Sequence, residues 1–98
     1  MSNPKRGDKY LNILTATTTV VKTGAGTVKR IVMGKAVASG VITVYDHASG
    51  AGDIILKITH PGTLLQNQYC LEINAKFTLG LTIITGSTDD FTVVYNDT

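Results

Sequence analysis

Two histidines and one cysteine are the side chains of this 98-residue chain best suited to bind a metal or act as a nucleophile. His47 lies in a glycine-rich stretch, and His60 stands directly before a Pro-Gly pair. Neither histidine has a partner at an HxH, HExxH or CxxC spacing, and no motif beside Cys70 supplies a base. We therefore expect exposed loop histidines, a partly exposed structural thiol and no metal site.

The aspartates form two candidate pairs for chemistry. Asp46 and Asp53 flank a short polar stretch and would need several further oxygens to bind Ca²⁺. Asp89 and Asp90 are adjacent, and neighbouring residues at a turn seldom converge on one substrate atom as an acid and a base must. We interpret Asp46 and Asp53 as turn-forming, solvated residues and Asp89 and Asp90 as strand terminators at a turn, and we expect no catalytic residue, no cofactor and no enzymatic activity.

Two glycine-rich segments, 24–26 and 50–52, resemble phosphate-binding loops only superficially. A phosphate cradle needs the N-terminus of a following helix, and no helical period follows either segment. The formal net charge is only +2, and the nine lysines and arginines are scattered apart from Lys5, Arg6 and Lys9. Because a nucleic-acid binder usually shows a basic stripe or aromatic residues among basic ones, we expect no nucleic-acid partner.

The elements that position these residues are organised around the segment 40–59, GVITVYDHASGAGDIILKIT. Its first half is β-branched, and Ile54, Leu56 and Ile58 recur at the strand period of two. The polar, glycine-containing stretch between the two runs predicts an exposed loop tip. This pattern predicts a β-hairpin, which needs further strands because a lone hairpin is marginal in water.

The rest of the chain supplies such strands. We expect one strand over 10–22, a turn at 23–26 and a second strand over 28–33, whose buried face the sequence leaves open. A strand with one buried face is predicted at 70–77, and two more at 79–85 and 91–95. Seven or eight short strands without a helical period predict an all-β fold, a β-sandwich or barrel, most simply a single antiparallel, jelly-roll-like sandwich.

The alternation also predicts which apolar residues form the core. The set comprises the inward side chains of the cleanest strand and of its neighbours: Leu71, Ile73, Phe77, Ile42, Val44, Leu56, Ile83 and Val93.

The first nine residues differ from the remainder. Residues 1–9 are polar and aperiodic, so we expect a flexible N-terminal arm before a sandwich domain over 10–98. The arm lacks the apolar stretch of a secretory signal, the chain has a single cysteine, and no apolar run approaches the roughly 20 residues that span a bilayer. We expect synthesis in a cytosol and no membrane partner.

Three segments resemble a family of small β-sandwich proteins from tailed bacteriophages and prophages. They are TATTTVVKTGAGTVKRIVM, AVASGVITVYDHASGAGDIILKI and FTLGLTIITGSTDDFTVVY, and the likeness covers about residues 15 to 95. Family members look like accessory structural proteins of the virion, as head decoration or cement proteins, head fibres or tail-associated parts. His47, His60 and the arm match no part of the pattern.

The resemblance implies a non-enzymatic virion protein, made in the host bacterial cytoplasm, that decorates and stabilises a capsid. Its expected partners are the major capsid protein or neighbouring virion proteins, and further copies of itself, as a trimer first and a dimer second. The candidate capsid contacts are the arm residues Asn3, Lys5, Arg6 and Lys9. The alternative is a carbohydrate or receptor-binding module of a tail or fibre, for which the four tyrosines are the main available platforms.

Overall fold

A computed structural model describes residues 8–49 and 52–97, and their regular structure consists of β-strands. Each strand coincides with an apolar or threonine-rich run bounded by glycine, proline or polar residues, which confirms the predicted all-β fold. The strands are β1 (Asp8–Ile13), β2 (Thr18–Thr23), β3 (Gly26–Lys35), β4 (Val41–Asp46), β5 (Asp53–Thr59), β6 (Tyr69–Phe77), β7 (Gly80–Thr85) and β8 (Asp90–Asn96).

The strands form two four-stranded antiparallel sheets packed face to face. The first sheet has the order β1-β8-β3-β6, and the second has the order β2-β7-β4-β5. Strand β1 pairs with β8, β2 with β7, β3 with β6 and β4 with β5, as in a long hairpin rolled up on itself. This nested pairing is the topology of a jelly roll, and it confirms the predicted sandwich.

The predicted strand over 10–22 is wrong, because the chain crosses between the sheets within it. β1 belongs to the first sheet and β2 to the second. The crossing is fixed by Thr85, whose N–H donates to the Thr17 carbonyl and whose hydroxyl accepts from the Thr17 N–H, both at 2.9 Å. β1 also begins at Asp8, so the last two residues of the expected arm are part of the sheet. The other arm residues lie outside the described residues.

A β-bulge explains why the sequence pattern did not predict which face of β3 is buried. The pairing of β3 with both of its neighbours shifts between Val28 and Arg30. The extra residue turns the strand over, so Val28 before the bulge and Ile31 and Met33 after it all face the core.

The core lies between the two sheets. Five of the eight predicted core residues are buried there: Ile42, Val44, Phe77, Ile83 and Val93. The remaining three, Leu56, Leu71 and Ile73, are only half-buried because they stand on β5 and β6, which are edge strands. The core also contains apolar residues absent from that prediction, among them Ile13, Leu81 and Phe91.

The predicted hairpin is confirmed, with β4 and β5 paired antiparallel. Its alternation is interrupted, since the register shifts between Val44, opposite Leu56, and Tyr45, opposite Ile54. Leu56 therefore faces the core, whereas Ile54 turns outward and is 55% exposed.

Candidate functional site

The most unusual polar group in the described part of the chain is a buried pair formed by His60 and Asp89. Asp89 is fully buried and His60 is 5% exposed, so the expectation that His60 is an exposed loop histidine is wrong. Asp89 does precede β8, as a strand terminator would, but its burial was not predicted. The imidazole Nδ1 stands 3.1 Å from Oδ2 of Asp89, but it forms no well-directed hydrogen bond with any of the described residues. The second carboxylate oxygen, Oδ1, has no hydrogen-bond partner among residues 8–49 and 52–97.

Several loops at one end of the sandwich converge on this pair. Asp89 lies just before β8, and its Oδ2 accepts a 2.8 Å hydrogen bond from the Val37 N–H in the β3–β4 connection. His60 follows β5 and donates its own N–H to the Gly40 carbonyl at 2.9 Å. On its far side, Nε2 shares a 2.6 Å hydrogen bond with the Tyr69 hydroxyl at the start of β6. The pair therefore ties both sheets together.

An aspartate, a histidine and a hydroxyl in series have the same order as the orienting group, base and nucleophile of hydrolases. Two features oppose that chemistry here. Burial, and secondarily the charge of Asp89, raise the pKa of Tyr69, so the hydroxyl is not activated. Gly40 packs so tightly on the carboxylate that a Cβ there would lie 2.8 Å from Oδ1, so backbone encloses the aspartate end of the series. The arrangement is suited to holding loops.

One of the loops held in this way carries the most exposed apolar side chain described. Ser39 donates its N–H to the Pro61 carbonyl at 3.0 Å, and Ala36 donates to the Asn67 carbonyl at 2.8 Å. Between these anchors Leu65 is 99% exposed. An open groove of about 480 Å³ runs along residues 64–68. The loop is thus anchored at both ends and presents an uncharged surface with an apolar tip.

Asp46 fixes the opposite end of the sandwich, where it was expected to be a solvated turn residue. Its carboxylate accepts backbone hydrogen bonds from Thr78 at 3.0 Å and from Leu79 at 2.9 Å. Burial pushes the pKa of Asp46 upward, but hydrogen bonds from the backbone of Leu79, Thr78 and Gly80 outweigh it, and the pKa ends below its usual value. Asp46 therefore ties the β4–β5 hairpin to the β6–β7 turn.

The other histidine and the cysteine take part in no comparable cluster. His47 is half-buried, its Nδ1 lies 3.0 Å from the Ser49 hydroxyl, and its carbonyl accepts a 2.7 Å hydrogen bond from the Thr82 hydroxyl. Cys70 is exposed, as expected, with its Sγ 3.8 Å from Glu72. Among residues 8–49 and 52–97, no three potential ligand side chains stand close enough to hold a metal ion.

Of the candidate capsid contacts, the structure describes only Lys9. Its ammonium group forms a 2.7 Å ion pair with Asp97, whose second oxygen lies 3.5 Å from Lys22. The hydrogen bond with Asp97, and then its charge, raise the pKa of Lys9. Asn3, Lys5 and Arg6 lie outside the described residues. Lys9 is therefore joined to the body of the domain.

Sequence reasoning missed the buried pair because its members are far apart in the chain. His60 and Asp89 are separated by two strands, and Tyr69 lies between them. The available signals were a histidine directly before Pro61-Gly62 and an aspartate that ends a turn. Each of these is also typical of an exposed turn, so only the nested topology brings them together.

Comparison with known proteins identifies no family. No family model matches this chain, and no curated protein matches it. Among solved structures, a chain in the structure of infectious bursal disease virus, Gt strain, is similar at a TM-score of 0.31 and 12% sequence identity. The match covers 92% of this chain and 32% of that one, so this chain spans about a third of its length. No helix of the described residues is long and apolar enough to cross a membrane.

Proposed function

We propose that this chain is a non-enzymatic structural protein of a virion, and that it decorates and stabilises a bacteriophage capsid. The observation that carries the proposal is the jelly-roll topology of the two sheets, since this architecture recurs in viral capsid and lectin domains. That argument is one of architecture, which many functions share. The proposal names a bacteriophage because three segments of the sequence resemble phage proteins.

The distribution of exposed apolar side chains supports a role in contact with other proteins. Large apolar residues are exposed on the strands and loops of both sheets: Tyr10, Leu14, Val20, Val32, Ile54, Leu65 and Leu79. A contact with another protein would bury side chains of this kind, as the core of a protein interface does. The tightly anchored polar groups, by contrast, fix loops. Together these features favour a protein that functions by binding other proteins.

The proposed attachment uses the N-terminal residues together with self-association. The proposed contacts with the major capsid protein or a neighbouring virion protein are Asn3, Lys5 and Arg6 of the arm, together with Lys9 in β1. An arm that becomes ordered on docking loses conformational freedom, so each contact is weak on its own. A homo-oligomer, trimer first and dimer second, would multiply these contacts through avidity.

The test is to mix the purified protein with phage particles that lack it, and to measure co-sedimentation and survival of the particles on heating. The proposal predicts binding and a gain in heat survival. Deleting residues 2–7, which stops before β1, should leave the thermal melt unchanged and weaken binding. A Lys22→Met variant is a control for the loss of positive charge, because Lys22 lies on β2 and outside the arm, and it should bind like the full chain. No binding by the full chain would refute decoration.

A second candidate function is carbohydrate or receptor binding at a tail or fibre. The observation in its favour is Tyr10, whose ring is 76% exposed on β1, because sugars stack on exposed aromatic rings. Tyr45, Tyr69 and Tyr95 are half-buried, so a platform of several rings does not form on the described residues. A glycan array separates the two functions: binding that a Tyr10→Ala change abolishes, without particle binding, would favour the second.

A further inference from the structure

We propose that the free edge of β1 is a self-association surface, and that it pairs antiparallel with β1 of a second copy of this chain. The strands at the edges of the sandwich are β1 and β6 in the first sheet and β2 and β5 in the second. An edge strand presents a row of unpaired backbone N–H and C=O groups, onto which another strand can add. The inference names the surface used for self-association and does not depend on capsid binding.

Three of these four edge strands carry a β-bulge. The extra residue is Val21 on β2 and Ile55 on β5, since the register of each strand shifts there. On β6, Ile73 and Asn74 together lie opposite Lys29, and Asn74 has a positive φ of 53°. A bulge bends the strand and interrupts its ladder, and proteins use bulges to block edge-to-edge pairing. These three edges are therefore poorly suited to receive a further strand.

The remaining edge strand, β1, is regular. Its residues pair one by one with β8, from Asp8 opposite Asn96 to Ile13 opposite Phe91, without a register shift. The strand also contains no proline, which would remove a backbone donor. The backbone of β1 is therefore a regular template along its free side, unlike the backbones of the other three edges.

The polar side chains of β1 are held on β8 or on the residue that follows it. Lys9 forms its 2.7 Å ion pair with Asp97. The Asp8 carboxylate accepts a 3.3 Å hydrogen bond from Asn96, and the Asn12 amide donates to the β8 backbone at 2.9 Å. Charged side chains on an edge normally discourage pairing. On β1 both charges are engaged within the subunit, so they oppose an incoming strand less.

Tyr10 stands near the centre of this edge, and at 76% it is the most exposed of the large apolar side chains on the described strands. Pairing with an identical strand about a two-fold axis through Tyr10 places the two tyrosines directly opposite each other. In this register Asp8 lies opposite Asn12 of the second copy. Lys9 lies opposite Leu11 of the second copy. Aromatic cross-strand pairs are stabilising and no like charges meet, so the edge is complementary to itself.

The other two-fold registers are less favourable. An axis through Asp8 or through Lys9 would place like charges directly opposite each other, which is destabilising. An axis through Leu11 would place Lys9 opposite Ile13, which is only 4% exposed. Charge and burial therefore select the axis through Tyr10. Because this pairing uses the regular edge of both copies, it closes on itself and favours the dimer over the trimer.

The length of the ladder sets the strength of the contact. Only residues 8–12 of each copy pair in this register. A contact of that length belongs with the small interfaces of weak and transient complexes. We therefore expect the dimer to form in the concentration range between about 10 µM and 1 mM.

Disulfide trapping tests the register, in chains that all carry Cys70→Ser because Cys70 is itself exposed. Directly opposite residues of an antiparallel pair have Cα atoms about 4.5–5.5 Å apart, within disulfide range. Tyr10→Cys should form a covalent dimer at least about tenfold faster than Val32→Cys, because the ladder raises the effective concentration of its thiols. Val32 is the matched control, since it is 42% exposed but lies on β3, inside the same sheet.

A mixture of two variants tests the antiparallel direction. Asp8→Cys and Asn12→Cys chains should cross-link with each other in the mixture, whereas neither should cross-link readily alone. A mixture that cross-links no faster than its separate components would overturn the proposed ladder. Circular dichroism and a thermal melt of each variant exclude loss of the fold as the cause.

Analytical ultracentrifugation measures the equilibrium without a cross-link. Wild type should show a monomer–dimer equilibrium across the stated range, and Val32→Lys should match it. Tyr10→Lys places like charges opposite each other and should weaken dimerisation by about tenfold or more. Deleting residues 2–7 should leave the dimer intact, which separates this surface from the proposed capsid contact of the arm.

Three results would overturn the inference. They are a wild-type chain that stays monomeric up to about 1 mM, a Tyr10→Cys chain that cross-links no faster than Val32→Cys, and a dimer that Tyr10→Lys leaves intact. Since all these measurements use the purified chain without particles, a failure of capsid binding would leave them unchanged.

Discussion

Phe77 offers the sharpest test of how the core is built, because one ring closes one end of it. The residue ends β6, and its side chain is 1% exposed. It lies directly against Gly26, the first residue of β3, where an added Cβ would be 2.7 Å from the ring. Replacing Phe77 with alanine would leave a cavity that the paired backbones of β3 and β6 cannot close easily.

The expected cost follows from that burial. Truncating a buried phenylalanine to alanine typically costs about 3–5 kcal/mol of unfolding free energy. A domain of about 100 residues has roughly 5–15 kcal/mol in total. Since about 1 kcal/mol moves the melting temperature of such a domain by roughly 4–8 °C, the melting temperature should fall by at least about 12 °C.

Thermal melting and urea denaturation followed by circular dichroism measure this loss. Leu79→Ala is the control, since Leu79 lies two residues further along and is 58% exposed. It should change the free energy of unfolding by no more than about 0.5 kcal/mol. Equal small losses in both variants would mean that the Phe77 ring does not stand in the core, and the packing of β6 against β3 would be refuted.

Three further substitutions test the polar and backbone contacts. Asp89→Ala should cost about 1–3 kcal/mol because it leaves the Val37 N–H and the His60 ring buried without their partner, and the double variant with His60→Leu should lose less in urea denaturation. Asp46→Asn should cost about 1–3 kcal/mol at pH 7. Since the folded pKa of Asp46 is lowered, its stabilisation is complete above the ordinary aspartate pKa of about 3.9 and is lost as pH falls through the folded value, so wild type and variant should converge in acid denaturation. Gly26→Ala should lower the melting temperature, at a cost of about 1–3 kcal/mol, because its Cβ collides with the Asn96 carbonyl oxygen as well as with Phe77.

The fold class was predictable because period-two alternation dominates the chain. The run at 69–77 alternates between half-buried and exposed residues along its whole length and ends in buried Phe77. The hairpin of β4 and β5 was equally visible, since β-branched runs flank a polar, glycine-containing loop. In both cases the local pattern and the tertiary structure demand the same arrangement.

The errors arise where one residue is added or the chain changes layer. The bulge between Val28 and Arg30 puts Val28 and Ile31 on the same side, which strict alternation forbids. The crossing between Ile13 and Thr18 lies within a threonine-rich run that has the composition of a strand throughout. Nothing local distinguishes a threonine that pairs in a ladder from one that crosses between sheets, because β-propensity describes both.

The buried pair was unpredictable for a different reason. Burial of Asp89 and His60 is tolerated only because the two are paired, since each alone would be a costly buried polar group. Their proximity depends on the rolled-up topology, which brings the β5–β6 and β7–β8 connections together. A sequence read residue by residue therefore assigns His60 to solvent and Asp89 to a turn.

The two ends of the sandwich carry different groups of residues. Because consecutive strands run in opposite directions, the His60–Asp89 pair and the loop that carries Leu65 lie at one end, whereas Asp46, Asp97 and the start of β1 lie at the other. The residues before Asp8 therefore join the domain at the end opposite Leu65. If attachment to a particle uses those residues, the Leu65 loop faces away from the particle and stays accessible on its surface.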